Sequence, residues 1–327
     1  MTDDMTDDKG ESKCRICSSR LKSEVIVGRE IWSFSDKRFD YFECSSCSCI
    51  QIKEYPENIG DFYTGEYYSF NVDRKISAIK TWLIGMRDNY ALSGSGILGG
   101  LLYKIWPTNI FKNIPYPEVN RDSKILDVGC GDGSFLLNLH RLGFKSLIGI
   151  DPFLTNEYSI DDNLSIQRKD IYQIDDEFDC IVLKGTLEHQ PNQLKLLNKI
   201  HALLSPGGMC VIRIPVMESY AWEHYRENWV QFDAPRHFYL HSIKSMEFLA
   251  REANFKIHHM EDDGDLLQFI GSEQLVAGIA LHDPKSFLVD RKSRKRFLLA
   301  VIQNSTQLYL AIGKLGFLEY LFFQYIA

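Results

Sequence analysis

Residues 124–133 read Lys-Ile-Leu-Asp-Val-Gly-Cys-Gly-Asp-Gly, a composition suited to bringing a small ligand against the backbone. Gly129, Gly131 and Gly133 carry no Cβ to hold that ligand away. A dinucleotide fingerprint needs Gly-x-Gly-x-x-Gly, but here the third glycine comes one residue early and Ser134 stands in its place. Charge is more informative than spacing. Asp127 and Asp132 flank the turn, and two carboxylates repel a pyrophosphate while attracting a ligand that carries a sulfonium and an ammonium.

A second set of chemistry-bearing residues lies upstream. Cys14-x-x-Cys17 and Cys44-x-x-Cys47 are two thiolate clips separated by a β-rich stretch. Each offers two sulfurs from one tight turn, and two clips close a tetrahedron around zinc. Four thiolates leave no open coordination position, so such a site is structural. Cys49 lies near enough to substitute for Cys47, although the repeated two-residue gap favours Cys47. Cys130, Cys180 and Cys210 fall in apolar or glycine-turn contexts where small-residue packing accounts for them.

These residues need elements to hold them, and the sequence supplies an ordered series. The glycine run follows an apolar strand and precedes a helix over Ser134–Leu142. Ser146–Asp151 is an apolar strand ending in an acid about 20 residues after the glycines, where a carboxylate can accept both ribose hydroxyls of a nucleoside. Leu164–Asp170 reads as a third strand, Phe178–Lys184 as a fourth followed by Leu187-Glu188-His189, and Met209–Pro215 as a fifth after Ser205-Pro206-Gly207-Gly208. A helix over Ile243–Ala253 and a strand over Lys256–Met260 supply the sixth unit. In this order the blocks resemble the class I S-adenosylmethionine (SAM)-dependent methyltransferases. The resemblance implies an α/β, Rossmann-like, seven-stranded core with SAM as methyl donor. It implies cofactor contacts at Asp127, Gly129, Cys130, Gly131, Gly133, Asp151, Pro152, Asp170, Ile171 and Lys184, with Asp151 on the ribose and Asp170-Ile171 at the adenine.

The cysteine clips ahead of this core narrow the resemblance to bacterial methyltransferases that tailor sugars, polysaccharides and secondary metabolites. Their N-terminal zinc-binding domain has an aromatic just before the second clip, as in Tyr41-Phe42-Glu43-Cys44. On the acceptor side, residues 218–242 are dense in rings and titratable groups. Asp233–Phe238 resembles the "PRH" segment of this broad group, and His237 matches a histidine that serves as base in sugar C-methyltransferases. Ala234 replaces the tyrosine of that pattern, so keto-sugar C-methylation does not carry over with it. The alternative for His237 is a structural role near the helix that starts at Ser242. Arg236 has two readings, a partner for an acceptor anion or for Asp233.

The 327 residues suffice for one large α/β domain and an accessory unit. The expected division is an acidic tail over 1–13, a zinc-ribbon-like module over 14–55, a helical connector over 56–121 with breaks at Pro107, Pro115 and Pro117, the core over 122–270, and a helical extension over 271–327. Residues 1–10 match neither a signal nor a transit peptide, giving a cytoplasmic expectation. Polar residues interrupt the apolar segment 297–327, which argues against a span or other membrane contact and for packing on the core or in a homodimer. A net charge of −7 argues against phosphate-backbone binding. The expected acceptor is therefore a sugar or nucleotide-sugar with His237 as general base, and no nucleic acid partner. The competing functions are an rRNA or tRNA methyltransferase with a zinc recognition module, and a SAM-fold scaffold without transfer activity.

Overall fold

The computed structural model describes residues 13–33, 37–63, 77–108, 118–261, 266–303 and 320–325. The cysteine-bearing segment folds first as β1 (Leu21–Arg29), β2 (Arg38–Cys44) and β3 (Ile50–Ile52), paired antiparallel. Its β-branched and aromatic residues suit a pleated, half-buried surface. The patterned connector becomes α1 (Ala78–Ser93), capped by the Ser77 hydroxyl and closed by left-handed Gly94, and then α2 (Ile97–Ile105). Pro107 follows α2 and cannot continue it. Pro115, Pro117 and residues 1–12 lie outside the described residues.

The core alternates strand and helix, as its hydrophobic runs require. Its elements are β4 (Lys124–Val128), α3 (Ser134–Arg141), β5 (Ser146–Ile150), β6 (Tyr158–Ile160), β7 (Leu164–Gln167), β8 (Phe178–Lys184), α4 (Gln193–Leu203) and β9 (Leu204–Arg213). A short helix α5 (Tyr220–Tyr225) and strand β10 (Tyr239–Leu240) then lead into α6 (Ile243–Glu252) and β11 (Phe255–Glu261). Two helices, α7 (Leu266–Val276) and α8 (Arg291–Gln303), precede β12 (Tyr320–Tyr325).

The main sheet has strand order β11-β12-β9-β8-β4-β5-β7-β6. Its central run from β9 to β7 is parallel, whereas β12 enters antiparallel between β11 and β9. This is the expected Rossmann-like order with one addition, since β6 pairs antiparallel with β7 as an eighth, edge strand. The C-terminal region differs from its helical expectation at 320–325, where Tyr-Leu-Phe-Phe-Gln-Tyr forms a strand. Its aromatic content favours a pleated surface over a helix.

One apolar cluster runs from Leu126, Leu183 and Ile212 through α4 and α6 to Tyr41, Ile50 and the cysteines. A second packs Leu136, Leu139 and Phe144 of the α3 region against Ile125, Leu147 and Val182. The strand order reverses at β4, so β4, β5 and β8 splay their C-terminal ends around a crevice, the place where ligands bind in open α/β sheets.

The cysteine-bearing sheet does not end with its own strands. β3 pairs antiparallel with β10, Tyr239 opposite Gln51 and Leu240 opposite Ile50, giving the order β1-β2-β3-β10. A strand from the acceptor side of the core thus completes the N-terminal sheet.

Candidate functional site

The glycine turn leaves β4 at its C-terminal end. Gly129 has φ 75° and Gly133 φ 73°, the left-handed region that favours glycine. A Cβ at Gly129 would lie 2.5 Å from Thr186 Oγ1, and one at Gly133 would lie 2.6 Å from the Tyr158 hydroxyl. The turn is held to the next strand by hydrogen bonds from Gly129 N and Cys130 N to Ile150 O, at 2.8 and 3.1 Å. Asp151, just beyond β5, accepts from Gly131 N at 3.1 Å and from Phe153 N at 2.8 Å, one bond per carboxylate oxygen. Each oxygen keeps a second lone pair, which is what two ribose hydroxyls require.

Asp127, Asp132 and Asp151 surround the mouth of the turn, and burial raises the Asp127 carboxyl to about 7. Lys184 opposes that rise, while Asp151 and Asp132 add to it. Burial also raises Asp151, against the hydrogen bonds from Phe153 and Gly131. A cationic ligand would reverse this cost, so the donor set fits a sulfonium-and-ammonium nucleoside and not a pyrophosphate. Asp170 is exposed and caps the short 3-10 turn Ile171–Gln173 by accepting from Tyr172 N at 2.9 Å. Ile171 is buried beside it, and Pro152 and Lys184 are exposed at the rim.

Of the ten residues expected to contact the cofactor, all except Gly133 line one cavity of about 640 Å³. The same cavity is lined by Glu188, His189 and His237. The "LEH" and "PRH" segments are bonded to each other. Phe238 N donates to Glu188 O at 2.9 Å, and His189 Nδ1–H donates to Arg236 O at 2.8 Å, with Tyr63 Oη 3.1 Å from the same nitrogen. His237 Nδ1–H donates to Gln231 O at 2.7 Å. A carbonyl only accepts, so both rings carry their neutral-form proton on Nδ1 and keep a lone pair on Nε2. The rings meet edge to face at 4.7 Å, and His237 Nε2 lies 3.9 Å from Glu188 Oε1. Burial lowers the pKa of both histidines and raises that of Glu188.

Arg236 is not available to an acceptor. It is 1% exposed, pairs with Asp233 through Nε and Nη2, reaches Glu30 Oε1 at 3.2 Å, and donates to Phe62 O. The sequence left out several residues of the wall. Tyr63 comes from the connector, Ile31 and Trp32 from the cysteine-bearing segment, and Leu281 and Phe287 from the region after α7. Nothing local marks them, because chain reversal alone brings them to the cavity.

The four cysteines of the two clips come together. Cys14 Sγ lies 3.7 Å from Cys47 Sγ, Cys17 Sγ lies 3.4 Å from Cys44 Sγ, and all four sulfurs are within 4.8 Å of one another. Tetrahedral zinc with ~2.3 Å bonds places sulfurs about 3.8 Å apart, so the set fits the ion. Each clip ends on a left-handed serine, Ser18 or Ser48, whose N–H returns to the carbonyl of the first cysteine. Backbone N–H groups of Ile16, Ser46 and Cys47 point at sulfur, as does Gln51 Nε2. Cys49 lies outside the group, its sulfur near Ile50 O and His241 Nδ1.

A methyltransferase-domain family profile matches residues 106–260, a little under half of the chain. The tRNA U34 carboxymethyltransferase of Nautilia profundicola is 30% identical over 129 residues, 35% of this chain and 41% of that protein. Enzymes of the same name from other bacteria match over comparable shares. The sterol 24-C-methyltransferase of Debaryomyces hansenii is 29% identical over 104 residues, 28% of each chain. The chain therefore spans about two fifths or less of the length of these two curated relatives. The cyclopropane synthase MmaA2 from Mycobacterium tuberculosis aligns over 72% of this chain and 87% of its own, at 14% identity and TM-score 0.41.

The relatives overturn the expectation of a sugar acceptor with no nucleic acid partner, since those named for tRNA act on an RNA. Net charge does not report on a single surface: residues 1–12 alone hold five acids and one lysine, and the cavity is lined by six acids beside Lys169, Lys184 and Arg213. Among the described residues no helix is long and apolar enough to cross a membrane. Residues 106–260 thus carry a methyltransferase-domain profile on a Rossmann-like sheet, and the relatives are named as a tRNA carboxymethyltransferase and a sterol methyltransferase.

Proposed function

We propose that this enzyme transfers a methyl group from SAM to an acceptor in tRNA. The observation that carries the reading is one cavity lined both by an acidic glycine turn and by the Glu188–His189–His237 cluster. Asp151 holds the ribose, Asp170 and Ile171 flank the adenine, and Asp127 with Asp132 faces the cationic part of the donor. When bound, SAM supplies an electrophilic methyl group. What remains for the protein is to align the acceptor and remove its proton. We assign the second task to the Glu188–His189–His237 cluster, in which His237 Nε2 is the group that the "PRH" segment singles out. The choice of tRNA rests on the named relatives. The four-cysteine group, holding zinc, serves as a structural anchor.

The test is transfer of label from methyl-labelled SAM to bulk tRNA by the full chain. Label in ribonuclease-sensitive material is the expected result. His237→Ala should cut the rate by about 10²–10⁴ with SAM affinity intact. No incorporation into tRNA, with SAM binding normal, would overturn the acceptor assignment.

A further inference from the structure

Glu188 stands out among the residues of the cavity. It is 2% exposed, and its Oε2 has no hydrogen-bond partner among the described residues. A buried carboxylate oxygen left without a partner is costly, so it calls for a ligand. The two histidines beside it are each fixed from behind by Nδ1–H donation to a backbone carbonyl. Metal-ligating imidazoles are oriented in this way, the second nitrogen being left for the ion. One ligand atom from each of Glu188, His189 and His237 lies within 4.8 Å of the other two. The 3.9 Å between His237 Nε2 and Glu188 Oε1 is too long for a hydrogen bond. It is a slightly expanded form of the ~3.0–3.5 Å that separates adjacent ligands of an ion with ~2.1 Å bonds.

We propose that Glu188, His189 and His237 bind a divalent transition-metal ion whose open positions face the acceptor. Two imidazoles and one carboxylate on one side of an ion leave room for exogenous ligands, unlike the closed four-sulfur site. The inference rests on the reading that this wall of the cavity faces the acceptor. The cation holds the acceptor's nucleophilic atom and lowers its pKa, and the proton passes to solvent water. His237 then serves proton removal through the ion it ligates, so the task stays with the same cluster.

Mn²⁺ separates the two candidate sites, because oxygen and nitrogen ligands suit it and four thiolates do not. The experiment titrates Mn²⁺ into the full chain and reads free ion by electron paramagnetic resonance. One bound Mn²⁺ is expected, with ¹⁴N modulation from imidazole in the wild-type protein. Glu188→Gln and His237→Gln should each weaken binding by at least about tenfold. The ¹⁴N signal needs no variant, so it decides the question even if a substitution unfolds the chain. Absence of bound Mn²⁺, or binding unchanged in both folded variants, would overturn the inference. Calorimetry with SAM on the same samples separates the two proposals. SAM binding without Mn²⁺ binding removes the metal site alone, whereas Mn²⁺ binding without SAM binding leaves the site and removes the donor assignment.

Discussion

Acidification from about pH 7 to about pH 5.5 should weaken SAM binding about fifteenfold, with Asp127 responsible. The carboxyl is 3% exposed and raised from 3.8 to about 7, mainly by burial. A bound cation favours the ionised form, so binding must expel the proton that the free protein holds below that value. The ammonium of SAM, an α-amino group of pKa about 7.7–8.0, stays charged across this window and does not blur the slope. The sign for the unliganded fold is opposite to the usual carboxylate case. A raised carboxyl costs nothing below its unfolded value, and its penalty grows with pH until it levels off near the folded one. At about 1.36 kcal/mol per unit, the penalty reaches roughly 4 kcal/mol above pH 7. Asp127→Asn should therefore melt higher than the wild type near neutrality while binding SAM more weakly. Calorimetric titration in buffers of different ionisation enthalpy reads both the affinity and the released proton. Equal affinity at the two pH values, with no proton released, would refute the assignment of Asp127 to the cationic part of the donor.

Asp151→Ala should weaken SAM binding by about 2–4 kcal/mol, or roughly 30- to 700-fold, because hydrogen bonds to a charged group are lost. Unchanged calorimetric affinity would remove it from the ribose. Gly129→Ala meets both a φ of 75° and Thr186 Oγ1 at 2.5 Å, and should lower stability by about 1–3 kcal/mol. Adding Thr186→Ala should restore part of the melting temperature, and a single variant that melts like the wild type would show that the turn is not so crowded. X-ray absorption should find zinc with four sulfurs at ~2.3 Å, and protein purified without chelator but lacking zinc would end that assignment.

Most core strands were legible in the sequence because their signals are local: apolar runs, the glycine turn and the acids after the first two strands, whereas β6 and the C-terminal strand β12 were not. The expected strand over Phe178–Lys184 matches β8 residue for residue, and the cysteine clips meet as their spacing requires. Two kinds of feature were not legible. Lone contributors such as Tyr63 and Trp32 carry no pattern, and their arrival at the cavity depends on long-range packing. Glu188 was visible in the "LEH" step, but its importance is a matter of what fails to touch it, and only three-dimensional surroundings supply that. The acceptor expectation came from the resemblance of the cysteine module to sugar-tailoring enzymes, and relatives named for tRNA overturn it.

The pairing of β3 with β10 sets a folding order. It is only two residues long and joins positions almost 190 apart in sequence, Gln51 with Tyr239. Closing so large a loop for so few hydrogen bonds is unfavourable until other structure has prepaid the entropy. The strand pair is therefore expected to follow the core sheet and the cysteine clips and to join them. Neighbouring contacts belong to the same late step: Tyr41 Oη donates to His237 O at 2.9 Å, Ser242 Oγ donates to Cys47 O, and Lys244 Nζ donates to Ser46 O. A chain that has folded its donor half but not loaded its sulfurs would hold SAM without a finished acceptor wall. If the four sulfurs hold zinc, loading the ion would then precede completion of the wall that carries His237, whose carbonyl accepts from Tyr41.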